Sequence, residues 1–522
     1  MAIPSLAMIP SGYKDGKVYS VLPSNGDGDF TFSRGSNATR VNKNGLIETM
    51  PLELGEELVT NGDFATDSDW IKGSGWSISG GEANCSGSGT GQVLYQQNIM
   101  PLGTKYKITV TVSSFVSGYL SAFGGDWDTE IIQSNGTFTR YTKSLSVNTG
   151  FVGNNFIGSI DNVSVKEVIS GLDTPRLDYS DSSCPSLLLE PQRTNYLTQS
   201  NQFDTTWNLD NITISSNETG VGGSVDAWKL IPNTVNTSHR ITNSISGTQN
   251  LAVTLSVYAK ADGYNFLRIS ENGSTGDYAT FNILDGIVES NTSSEAKIES
   301  VGNGWYRCSS SIIATTSHRF DMYVMQSATI QEPWSGDGTS GIYVFGAQVE
   351  EGGYATSYIP TSGSAVTRLG DECTNAGNDQ VINSSEGVLY AEISTKTDDA
   401  DKAISISDGS TNNRIWVGYS TINKRAYALG YSGSTLQFVF FKNLVNEEDM
   451  IKVACRYKQD DFSFWVDGVK EGEDTSGLTP IGMNELSFNI GTVSGSFYGN
   501  VKDVRVYNTA LTDAELEELT TL

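Results

Sequence analysis

Two stretches of this chain open and close in the same way, and that repetition constrains the fold more than any single residue. LVTNGDFATDSDW (58–70) with GWSISGG (75–81), and YLTQSNQFDTTW (196–207) with NITISSN (211–217), each join an opening strand, a Phe…Trp unit and a second strand. GSIDNVSVKEV (158–168) and GIYVFGAQVEEG (341–352) close them, and FYGNVKDVRVYN (497–508) closes a third stretch. Each closing segment alternates apolar with polar residues, and that period of two puts one face of a strand on a core. The middles correspond too: KYKITVTVSSF (105–115) matches LAVTLSVYAKA (251–261), and NGTFTRYTKSLSV (135–147) matches NGWYRCSSSI (303–312). A period of about 130–160 residues is too long for a solenoid and suits tandem domains.

The third stretch, from 384 to 512, reads as evenly spaced strands (VLYAEIST, AISIS, RIWVGYS, RAYALGY, LQFVFFKN, FSFWVDG), which is the signature of a sandwich. With 55 Gly, 23 Tyr, 20 Phe and dense Ser/Thr/Asn, the chain favours β-branched and aromatic strands separated by polar turns. The expectation is an all-β chain of tandem β-sandwiches joined by extended connectors. It divides into an N-terminal attachment or connector segment (1–56), a first module (57–170), a connector (171–195), a second module (196–368), a connector (369–383) and a third module (384–522). Thr512 and Glu515 have capping-box spacing for one short terminal helix. The connectors read either as ordered segments that dock on neighbours or other subunits, or as surface loops.

A net charge of −27 repels nucleic-acid backbones and anionic lipid, so neither nucleic acid nor membrane is an expected partner. The first residues lack a basic run followed by an apolar one, and no stretch approaches the ~20 apolar residues of a spanning helix, so neither export nor anchoring is expected. Five scattered cysteines without a CxxC pair read as buried thiols.

Asn61-Gly62-Asp63-Phe64 and Ile160-Asp161-Asn162-Val163 resemble the opening and closing units of jelly-roll carbohydrate-binding modules. FSFWVDGVKEG (462–472) and YGNVKDVRVYNTALTDAEL (498–516) resemble the laminin-G/concanavalin-like lectin domain. RGSNATRVNKNGLIE, PRLDYSDSSCPSLLLEPQRTNYLTQSNQF and GAQVEEGGYATSYIPTSGSAVTR are similar to segments that recur in tail-fibre and other appendage proteins of bacteriophages. Together these resemblances imply a virion structural protein: a tail fibre, capsid fibre or decoration subunit, assembled in the host cytoplasm and displayed on the virion surface. They also imply other virion proteins and host surface polysaccharide as partners, and a homo-oligomer, with a trimer favoured. A glycan-active depolymerase with accessory binding modules and a bacterial glycan-binding adhesin are the alternatives.

Catalysis is not expected. The third module lacks the E-x-D-x-x-E strand of concanavalin-like glycoside hydrolases, and His239 and His318 have no Ser/Asp or Cys pairing at useful spacing. Sugar-binding sandwiches stack exposed aromatic rings on pyranose faces, which singles out Trp127 in GGDWDTE, Trp334 in QEPWSGDG and Trp416 with Tyr419 in NNRIWVGYS, with core or subunit packing as the competing reading. Trp70, Trp207 and Trp465 lie in apolar alternation and read as core. The jelly-roll resemblance further implies a structural calcium ion between opening and closing strands, with Asp161 and Asp63 at the matching positions; a solvated strand-end carboxylate or Asx turn is the alternative.

Overall fold

The computed structural model describes all residues except 1, 11, 88, 126–130, 181–183, 247, 249, 273–275, 316–317, 329–332, 397–400, 421–423, 447, 493–494 and 522. Among the described residues it is all-β apart from a single helix, Asp513–Thr520. That helix carries the expected capping box, with Thr512 Oγ1 accepting from the Glu515 amide and the Glu515 carboxylate accepting from the Thr512 amide.

The first sandwich is one nine-stranded sheet folded over its own core. Two long strands, Lys105–Phe123 and Thr149–Ser170, pair along most of their length. Register shifts between Thr109 and Thr111 and between Ser113 and Tyr119 bend them, because a bulge adds a residue on one strand and increases local twist. Gly118 sits at this bend with φ +75°, where an added Cβ would lie 2.1 Å from the Asn155 carbonyl oxygen, so only glycine fits.

In the second sandwich two six-stranded sheets face each other. One holds Asn208–Asp210, Arg240–Ser244, Arg319–Met325, Phe266–Glu271, Tyr278–Asn282 and Ile287–Asn291; the other holds Ile212–Thr219, Val225–Pro232, Gly341–Glu351, Ala252–Asp262, Trp305–Ile313 and Glu295–Gly302. The repeated openings build the same object in both sandwiches. Phe64 lies 5.2 Å from Trp70 and Phe203 lies 5.2 Å from Trp207, all four rings buried. Each indole N–H donates to a backbone carbonyl, Trp70 to Asn61 and Trp207 to Gln199. An apolar ring system with its single donor satisfied gains full burial without a polar penalty.

The third sandwich sets Glu386–Thr395, Ile451–Lys458, Phe462–Val466, Val469–Asp474 and Gly499–Tyr507 against a five-stranded sheet running from Thr435–Asn443 to Glu485–Ser487. The outer edge of its closing strand is not left open. Leu6–Met8 pairs with Val504–Val506, and Ser186–Leu189 pairs through Leu187–Leu189 with Gly499–Val501. Two connectors therefore share one edge and cover the unpaired backbone groups that edge would otherwise present.

The connectors also bind one another. Phe30–Ser33 pairs with Glu372–Thr374, and Arg193–Asn195 pairs with Val366–Arg368. At their meeting point three arginines and two carboxylates are buried together. Arg176 reaches Glu190 at 2.6 Å and also bonds Asp371; Arg368 reaches Glu190 at 2.8 Å; Arg34 reaches Asp371 at 3.1 Å. Further donors go to carbonyls, Arg34 to Ser36 and Thr174, Arg176 to Thr39, and Arg368 to Pro191, while the Nε of Arg176 and of Arg368 have no partner. Burial opposes the Glu190 charge, but Arg368, Arg176 and the Ser357 donors outweigh it and hold its carboxyl far below the usual range. Four of the five cysteines are buried as expected; Cys184 is exposed, because it lies in the connector just before the strand Ser186–Leu189 begins.

Candidate functional site

The aromatic residues singled out as sugar platforms do not form one. Trp334, Trp416 and Tyr419 are all buried. Trp334 is wedged edge-on between His239 at 4.5 Å and Tyr264 at 5.0 Å. Trp416 stacks on Tyr427 at 5.4 Å, and Tyr419 donates its hydroxyl to the Ile393 carbonyl from within the main core. The cause is position: Arg414–Ser420 is an inner strand of the five-stranded sheet, covered on both faces, and its polar neighbours Asn412 and Asn413 belong to the preceding turn. Trp127 lies outside the described residues. Trp70, Trp207 and Trp465 are core, as read.

The opening and closing units of the first sandwich do meet: Gly62 O accepts from the Val163 amide at 2.8 Å. The Asp161 carboxylate, however, is taken by the Asn162 amide and side chain, and Asp63 caps the Ala65 amide. The loop carbonyls of Thr66 and Ser68 accept from the Asn61 side-chain amide. These oxygens are met by N–H donors, so Asp161 and Asp63 serve turn geometry in this arrangement. Among the described residues no group of three or more His, Cys, Asp or Glu side chains is placed to hold a metal.

A cleft of about 310 Å³ does exist where the second sandwich, the third sandwich and the connectors meet, a size that suits a small ligand. Three kinds of element line it. The second sandwich gives Tyr258, Lys297, Glu299, Arg307 and Tyr354; the third gives Lys396, Glu448 and Tyr498; the connectors give Arg40 and Asp178. Lys297 bridges the two sandwiches, bonding Glu299 at 3.0 Å and Glu448 at 2.6 Å. Burial would raise the Glu299 carboxyl, but Lys396, Lys297 and Arg307 together hold it down to about 2. Burial pushes the Asp178 carboxyl up, against the Ser180 and Val41 donors that bind its two oxygens. A carboxyl tied to its own backbone on both oxygens is positioned for structure, and Glu299 is ionised, so neither is presented as a general acid.

Arg307 is the anomaly of this cleft. It is 7% exposed, yet its only side-chain bond is a long one, Nη2 to Ser256 Oγ at 3.3 Å, and its Nε has no partner. Its guanidinium carbon lies 5.3 Å from the Tyr258 ring centre, a cation–π contact, and burial pushes the Tyr258 hydroxyl up to about 12 against the opposing pull of the Arg307 charge. Sequence reasoning missed this site because its residues come from distant segments. The available signal was Arg307 itself, which stands in NGWYRCSSSI where Arg140 stands in the matching NGTFTRYTKSLSV. Arg140 and Tyr141 of the first sandwich line a second cleft of about 790 Å³ together with connector residues.

The Concanavalin A-like lectin/glucanases superfamily profile matches residues 374–517, which is the third sandwich, as the FSFWVDG and closing-strand motifs led one to expect. No curated protein matches the chain. Among solved structures the chain is similar to the Ruminococcus gnavus IT-sialidase CBM40 (16% identity, 28% of this chain and 93% of that one, TM-score 0.24). It is also similar to mouse laminin alpha1 chain domains LG4-5 (12% identity, 58% and 92%, TM-score 0.20). A third is domain 4 of AbnA, a GH43 extracellular arabinanase from Geobacillus stearothermophilus, in complex with arabinotriose (13% identity, 33% and 81%, TM-score 0.23). The chain is a set of tandem β-sandwiches, the last of which matches the concanavalin-like profile.

Proposed function

We propose that this chain is a bacteriophage virion structural protein, a tail fibre, capsid fibre or decoration subunit, whose sandwiches attach to host cell-surface glycan. The observation that carries the glycan part is the junction cleft: a pocket of ligand size, walled by carbohydrate-binding-like sandwiches, with tyrosine rings and a guanidinium whose hydrogen-bonding capacity is unspent. The phage part is supported by the connector motifs, which here weave three sandwiches into one hub.

Binding without cleavage is part of this proposal, because the cleft carboxylates are ion-paired or tied to backbone rather than set as an acid and a base. So is assembly as a homo-oligomer, a trimer, on the virion surface. Immunogold labelling of purified virions with antibody to this chain tests the location, and light scattering tests the trimer. A glycan array probed with the full chain tests attachment: bound host glycans without release of reducing ends support the reading, and a blank array overturns it.

A further inference from the structure

We propose that the junction cleft takes a sugar bearing a carboxylate, with that carboxylate seated on Arg307. This rests on the glycan-binding reading and names its ligand class. A buried charge in a folded protein is ordinarily paired or fully hydrogen-bonded, since an unpaired one loses its hydration without return. The chain obeys this elsewhere, Arg34, Arg176 and Arg368 each having a carboxylate within ion-pair distance. Arg307, equally buried and lining the cleft, has one serine hydroxyl. Its Nε is unpartnered, as are those of Arg176 and Arg368, but unlike them it has no carboxylate of the described residues within ion-pair distance, and Glu350, Glu299 and Glu190 act on it without bonding it. A planar guanidinium fork with free donors matches a carboxylate in bidentate geometry.

The rest of the wall argues for a singly charged, hydroxyl-rich ligand. Lys396 and Arg40 add positive charge, while Glu299 and Glu448 offer acceptors for sugar hydroxyls and would repel a dianion such as a phosphate. Tyr258 and Tyr354 supply ring faces for the apolar side of a pyranose.

The experiment is saturation-transfer NMR on the full chain with sodium D-glucuronate and, as the neutral match, D-glucose, repeated on Arg307→Met and Arg307→Lys. Expected is transfer to glucuronate well above that to glucose, lost at least tenfold in Arg307→Met and at least threefold in Arg307→Lys, which keeps the charge but not the fork. Equal transfer to both sugars, or glucuronate binding unchanged in either variant, overturns the proposal. If Arg307→Met does not fold, Arg307→Lys alone decides. The parallel glycan array separates the two readings: glycans bound equally by wild type and Arg307→Lys sink the cleft and leave attachment standing, whereas a blank array with Arg307-dependent glucuronate binding leaves the cleft standing and sinks attachment to the host glycans tested.

Discussion

Arg176 and Arg307 are buried to nearly the same degree in one chain and are treated in opposite ways. Arg176 has two carboxylates, a carbonyl and the Ser357 hydroxyl around it, whereas Arg307 has a tyrosine face and one long bond to serine. The first arrangement joins segments 14 and 195 residues apart, and both of its terminal guanidinium nitrogens are held by carboxylates. The second leaves donors unspent beside a cleft. Buried charge is therefore no single signal: bonded to carboxylates, it marks a joint in the architecture, and with none in bonding reach beside a cleft, it marks a place for a ligand.

The largest effect should come from breaking the joint. Arg176→Met leaves Glu190 and Asp371 buried with fewer cations, and losing one partner of a buried pair costs about 3–5 kcal/mol. Calorimetry should show a large fall in the melting transition, and hydrogen exchange should locate the loosening in the connectors. If the variant melts like wild type, the hub is not a joint.

His318 sharpens the comparison with a third solution, which is to shed the charge. Its Nδ1 meets the Thr248 hydroxyl, its Nε2 has no partner, and burial lowers its pKa from 6.5 to about 4. The unfolded chain takes up this proton as pH falls below about 6.5 while the folded chain refuses it until about 4, so stability is intact above 6.5 and lost across that window, by a total on the order of 3 kcal/mol. Denaturant midpoints of wild type and His318→Asn from pH 7 to 4 check this: the two curves should converge as pH falls, and parallel curves would remove His318 from the account.

Smaller still is the bridge across the cleft. Lys297 is a third exposed, so Lys297→Ala should cost under about 1 kcal/mol, and high salt should erase the difference. Least of all is Arg307→Met, expected within about 0.5 kcal/mol of wild type by the same denaturant titration, because Arg307 has no carboxylate within ion-pair distance and Glu299, which feels its charge, keeps Lys297 bonded to it. A destabilisation matching that of Arg176→Met would make the two arginines alike and end the contrast. A chelator should shift no transition at the Asp63 and Asp161 loops, where amide donors already occupy the oxygens.

What could be read beforehand follows the range of the forces involved. The Phe…Trp openings and alternating closings are local patterns that report burial directly, and both aromatic pairs form as the repeat implied. The hub was illegible because Arg34 and Asp371 are 337 residues apart, and charges in polar connectors look like solvated surface until topology brings them together. Trp416 and Tyr419 misled for the complementary reason: adjacent Asn and Arg residues suggested exposure, while a central strand in a two-layer sheet is covered whatever its neighbours.

The shared edge of the closing strand also sets an order of events in time. Ser5 bonds the Val506 carbonyl across 501 residues, and Leu6–Met8 finds its partners only in the strand Gly499–Tyr507. A ribosome emitting about 5–20 residues per second leaves that first segment and Leu187–Leu189 without their final partner until nearly the whole chain has emerged. The first two sandwiches can close as they appear, but the assembly locks in one late step, and a chain cut short before Gly499 would expose both waiting strands to any other chain nearby.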